Sequence, residues 1–104
     1  LAERQLTRLV QLQSSAEAHL VRAEARLALR KPTLALHDGG RALALDPSAT
    51  AAYRVMGDAH RQLGARHKAV YYYKLYLSRI GTDKSKSAQR AEIERILSEL
   101  SQGQ

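Results

Sequence analysis

The sequence predicts an all-α fold of about six helices paired into antiparallel hairpins, and three observations carry that prediction. Apolar residues recur three and four apart along most of the chain, the spacing of amphipathic helices. Ala, Leu and Arg dominate while β-branched residues are sparse, so no segment reads as a strand. Pro and Gly punctuate this pattern into blocks of about 12 to 16 residues separated by short turns.

Each element follows in order. Leu6, Leu9, Val10 and Leu12 form an apolar stripe that predicts a first helix within residues 1–15. Ser14 stands three residues before Glu17, a capping-box spacing in which hydroxyl and carboxylate satisfy orphan amides, so the next helix is expected from about Ser15 to Leu29. Lys31-Pro32 breaks it. Pro32 suits the first turn of a helix running to Leu45, because its missing N–H has no partner there in any case. Asp46-Pro47 ends that helix. The fourth starts near Ala49 or Thr50 and stops at Gly64, a residue free to take the left-handed cap. Arg66 to Arg79 makes the fifth, closed by Gly81. Asp83 caps a sixth in which Ile93, Ile96, Leu97 and Leu100 share one face.

The hairpins repeat. At an offset of 34, the segment 16–47 aligns on 50–81: Ala18 meets Ala52, His19 Tyr53, Ala23 Gly57, Ala25 Ala59, Ala35 Ala69 and Leu43 Leu77. Small residues fall where the two helices of a unit approach, and large ones fill the space between units. In these residues the chain resembles the tetratricopeptide repeat family, whose 34-residue helix pair carries an aromatic and Leu-Gly in its first helix, Ala and an aromatic in its second, and Pro at its end. The second unit matches through Tyr53, Met56, Gly57, Gly64, Ala69 and Tyr73, the first through Ala23, Ala35, Ala42, Leu45 and Pro47. Gly39, Tyr76 and Gly81 depart from the pattern, which prefers a bulky aromatic, Ala and Pro at those places.

The resemblance implies a single domain stacked as a right-handed superhelix, with residues 1–15 a flanking helix, 16–49 and 50–81 the two repeats, and 82–104 a closing helix that keeps Ala91 in register with Gly57 and Ala23. Such arrays need a solvating terminal helix, and SAQRAEIERILSEL resembles one, so the C-terminus is expected to be authentic. Leu1 is not an initiator Met, and Gln5 and Arg8 stand where core residues are expected. The chain therefore reads as the C-terminal piece of a larger protein, of the bacterial multidomain kind, with repeats removed upstream.

Composition excludes several functions. The absence of Cys rules out disulfides, thiolate zinc sites and a cysteine nucleophile, and it suits either side of a membrane. No apolar run approaches the roughly 20 residues of a spanning helix, so no membrane insertion is expected. His19 takes the place of the family's aromatic and is expected to be a half-buried packing residue. His60 and His67 straddle a turn without a third ligand at metal spacing, and His37 and Asp38 diverge by about 100° on their helix. HExxH, GxSxG and Gly-rich phosphate loops are all missing, so neither enzyme activity nor a metal or cofactor is expected. The run Tyr71-Tyr72-Tyr73 spreads over about 200° of helix and forms no common platform: Tyr73 and Tyr76 should pack, leaving Tyr71 and Tyr72 partly exposed. Gly39-Gly40 costs about 0.5 to 1 kcal/mol per residue in a helix. Either a neighbouring helix or Tyr53 approaches there, or a well-supported bundle tolerates the glycines.

The remaining feature is charge. The net value is +7, yet it is uneven: residues 1–47 carry seven bases and five acids, 48–81 six and one, and 82–104 four of each. Arg54, Asp58 and Arg61 are four and three apart and make one stripe. The resemblance places this stripe along the concave groove, with Glu17, Leu20, Glu24 and Leu27 at matching positions of the first unit. It differs from the family's carboxylate clamp, since the sequence has no Asn. The expected function is non-catalytic protein binding. A partner segment, acidic in part, docks along Leu20, Glu24, Leu27, Arg54, Asp58 and Arg61, with Asp58 holding the guanidiniums. The alternatives are homo-oligomerisation through the first unit's apolar face, then nucleic-acid binding by the basic second unit, which is the least favoured.

Overall fold

The computed structural model describes residues 3–4 and 15–102. Among them the chain is helical throughout: α1 (Ala16–Ala28), α2 (Pro32–Leu45), α3 (Ala51–Gln62), α4 (Arg66–Ile80) and α5 (Ser87–Gln102), with a 3₁₀ turn at Lys84–Lys86 and no strand. The predicted N-terminal helix carrying Leu6, Leu9, Val10 and Leu12 lies outside the described residues. α1 pairs with α2 and α3 with α4; α3 also packs on α1 and α2, and α5 closes the body against α4.

Two turns of the same construction make the hairpins. At the end of α1, the amides of Leu29, Arg30 and Lys31 donate to the carbonyls of Ala25, Leu27 and Arg26 at 3.0, 3.0 and 2.8 Å. At the end of α3, Leu63, Gly64 and Ala65 donate to Ala59, Arg61 and His60 at 3.0, 3.1 and 2.9 Å, every residue number raised by 34. The 6→1 bond with a left-handed residue before its donor satisfies carbonyls that a helix end leaves orphaned. Gly64 takes that conformation at φ +75, and Arg30 takes it at φ +61, the one positive φ outside glycine among the described residues.

Small residues let these helices close on one another. Ala23, Ala35, Val55 and Ala59 form the core between α1, α2 and α3, and Leu20, Leu27 and Leu36 pack against it half-buried. Ala69, Tyr73, Tyr76 and Ile80 of α4 meet Ile93 and Ile96 of α5 in the second core. Gly57 leaves room for the Tyr73 ring, whose nearest carbon would lie 2.7 Å from a Cβ there. The Gly39-Gly40 pair divides in the same way. A Cβ on Gly39 would fall 2.8 Å from Met56 Cγ of α3, whereas Gly40 faces open space; the neighbour at Gly39 is thus α3 through Met56, not Tyr53.

Three boundary expectations change. The cap of α1 is Ser15, whose hydroxyl accepts the Ala18 amide at 3.1 Å, so the box expected from Ser14 and Glu17 does not start the helix. Asp83 caps the 3₁₀ turn by accepting the Ser85 amide at 2.9 Å, and α5 begins only at Ser87. Ala91 is exposed, unlike Ala23 and Gly57, because no helix of the described residues follows α5 to pack on it.

Candidate functional site

The predicted stripe opens onto a concavity of about 610 Å³ walled by α1, α3 and α5. Leu27, Arg54, Asp58 and Arg61 line it, joined by Arg30, Gln62, Glu92, Arg95 and Ile96. A second hollow of about 350 Å³ shares Arg54 and Asp58 with the first and brings in Glu24, Val55 and Tyr76. Five of the six predicted residues therefore border one or both of these hollows. Leu20 lines neither hollow and packs instead against the first core. Glu17 is exposed in the first turn of α1.

The sequence missed what α5 brings to this wall. Arg54 forms a short ion pair with Glu92 and lies 3.7 Å from Asp58, while Arg61 lies 3.9 Å from Glu99, which also takes Arg95 at 2.7 Å. Burial pulls the Arg54 guanidinium down, but the Glu92 hydrogen bond and the charges of Asp58 and Glu92 outweigh it and hold the group above its ordinary value. Asp58 accepts the Tyr73 hydroxyl at 2.5 Å. Burial, then this carboxylate, pushes the Tyr73 phenol well above the usual tyrosine range. The spacing carried a signal: Glu92 and Glu99 are seven apart, as are Arg54 and Arg61, so two parallel faces can pair rung by rung.

A second polar centre lies beneath the surface. Asp38 is fully buried, and three α1 residues surround it. Arg22 Nε donates to both carboxylate oxygens at 3.0 Å and its terminal nitrogen to Oδ1 at 2.5 Å; Arg26 reaches Oδ2 at 3.0 Å, and His19 Nδ1 lies 3.3 Å from Oδ1. Arg26 also meets Glu3 at 3.4 Å, and Glu3 takes Lys31 at 2.6 Å. That contact with Lys31 holds the Glu3 carboxyl below its ordinary range. His19, expected to be half-buried, is buried, and its neighbour is a carboxylate. The offset of 34 offered a clue, since His19, Arg22, Arg26 and Asp38 fall on Tyr53, Met56, His60 and Tyr72. Where the first hairpin holds an ion pair between Arg26 and Asp38, the second stacks His60 on Tyr72, with centroids 5.4 Å apart and planes 5° from parallel. Burial, then the charge of Lys68, lowers the His60 pKa from its ordinary 6.5.

The four tyrosines of α4 separate as expected: Tyr73 and Tyr76 are buried, Tyr72 is half-buried and Tyr71 is 60% exposed. Among the described residues no three His, Asp or Glu side chains gather closely enough to share a metal ion. Nor is any of these helices long and apolar enough to cross a membrane. Fold and site together define a class, an all-helical domain with a charged concavity along one side. No protein-family model matches the chain, and no curated protein matches it.

Proposed function

We propose that this chain is a tetratricopeptide-type repeat module that binds a protein segment, acidic in part, in the concavity between α1, α3 and α5, and that it catalyses nothing. The recurrence of one turn geometry after 34 residues supports the repeat reading, as does the equivalence of Arg26–Asp38 and His60–Tyr72. The observation that carries the binding reading is the concavity itself, where Arg30, Arg54, Arg61 and Arg95 outnumber Asp58 and Glu92 in the lining. An arginine has five N–H donors in a planar fork, so a guanidinium already facing a glutamate keeps donors for an incoming carboxylate. Leu27 and Ile96 supply the apolar floor that a side chain of the partner would cover.

Peptide selection from a random library, followed by amide chemical-shift mapping, tests this reading. Selected peptides should be enriched in Asp and Glu and should shift Leu27, Arg54, Asp58, Arg61 and Arg95. Peptides that shift only the opposite face, or a selection with no acidic enrichment, would remove it.

A further inference from the structure

Charge on α4 is uncompensated in a way that charge in the groove is not. From residue 59 to 82, twenty-four consecutive residues include no carboxylate. Arg61 in this stretch faces Glu99, but Arg66, Lys68, Lys74 and Arg79 have no carboxylate within 4.0 Å among the described residues. A solvent-facing helix ordinarily offsets such charges with acids three or four residues away. Burial first, and then the charge of Lys68, lowers the His60 pKa.

An aromatic ring stands in the middle of these charges. His67, Tyr71 and Lys74 are four and three apart and share the outer face of α4, while Lys68 and Arg79 flank it; all five are exposed. Tyr71 meets Tyr72 edge to face, with centroids 5.2 Å apart and planes at 82°, and Tyr72 is itself stacked on His60. The exposed ring is therefore braced rather than loose.

We propose that the outer face of α4 binds single-stranded nucleic acid, with Tyr71 as the surface on which a base stacks and Lys68, Lys74 and Arg79 meeting the phosphates. Lys68 and Arg79 are eleven residues apart, about 16 Å along a helix, which spans several nucleotides. A basic track with one braced aromatic is what sequence-tolerant single-strand binding needs, because every base has a π face. A lipid surface fits less well. Membrane-bound helices insert an apolar face, and the exposed residues around Tyr71 on this one are His67, Lys68, Lys74 and Ser78, with Leu75 half-buried beside it. Duplex fits less well too, since its bases are already stacked and Tyr71 offers them nothing.

Fluorescence anisotropy of the whole chain with a labelled single-stranded oligonucleotide provides the test. With three phosphates neutralised, affinity should fall about twentyfold between roughly 50 and 200 mM salt. Tyr71→Ala should weaken binding about tenfold, and Tyr71→Phe should restore most of it. Lys68→Gln with Lys74→Gln should flatten the salt dependence by about two-thirds. These side chains are exposed, so circular dichroism should show each variant folded. The proposal is overturned by no binding at about 50 mM salt, by equal affinity for duplex or for phosphatidylserine vesicles, or by a Tyr71→Ala variant that binds like the parent. A peptide seated in the groove should leave oligonucleotide affinity unchanged, and competition between them would overturn the placement on α4.

Discussion

Replacing Asp38 with alanine should remove about 3 to 5 kcal/mol of stability, the usual consequence of leaving buried charges without their counterion. The structure sets the size of this effect. Arg22 and Arg26 are each only 8% exposed, and Asp38 satisfies both guanidiniums, one of them through three contacts. Truncation leaves Arg22 without a counterion beneath the surface and Arg26 with only Glu3, 3.4 Å away. A domain of this length has roughly 5 to 15 kcal/mol in total, so the variant should lose at least about 12 °C in Tm, and its urea midpoint should drop with an unchanged slope. The control exchanges the whole cluster for its counterparts in the second hairpin: His19→Tyr, Arg22→Met, Arg26→His and Asp38→Tyr together. With both guanidiniums gone, that exchange should cost less than about 1 kcal/mol. An Asp38→Ala variant within about 1 kcal/mol of the parent, or an exchange as costly as the truncation, would refute the reasoning that an unpaired charge sets the loss.

Other variants test the packing and the turns. Gly57→Ala should destabilise by more than about 1 kcal/mol despite the better helix propensity of alanine, because the Tyr73 ring against it is fully buried; Gly40→Ala, facing open space, should gain about 0.5 to 1 kcal/mol in the same urea titration. Arg30→Gly should stabilise by about 0.5 to 1 kcal/mol, since relief of the left-handed strain exceeds the entropy that glycine adds to the unfolded chain. The contribution of His60 depends on pH. Its folded pKa lies below the ordinary 6.5, so its stabilisation is complete above that pH and is lost as pH falls through the lowered value; Tm should decline between pH 7 and 5, and His60→Phe should flatten the decline. Coincident profiles for the two proteins would show that other groups set the acid response.

Local chemistry explains which parts of this fold were legible in the sequence. Pro32, Gly64 and Gly81 act on their own backbone and nearest turn, so the boundaries they predict match the observed helices within a residue or two. Tyr73 and Tyr76 follow from helical period alone. Arg30 does not: a residue with a β-carbon in the left-handed position is legible only by comparison with Gly64, 34 residues on. The Asp38 cluster depends on two helices meeting, and its members look like ordinary surface charges when each helix is considered alone. The groove was half legible. Its α3 stripe follows from spacing, but the partners of Arg54 and Arg61 reside on α5, whose register against α3 is a tertiary fact.

The way α5 is fastened has a mechanical consequence. Toward α4 it is held by Ile93 and Ile96 against Tyr73, Tyr76 and Ile80, an apolar contact that salt does not loosen. Toward α3 it is held by exposed or half-exposed ion pairs, which weaken as the Debye length shrinks from about 10 Å at 0.1 M to about 3 Å at 1 M. Ionic strength thus acts on the α3 edge of this helix and leaves the α4 edge unaffected. The concavity opens along the α3 edge, so the contacts there that salt weakens are the Arg54–Glu92 and Arg61–Glu99 pairs beside it.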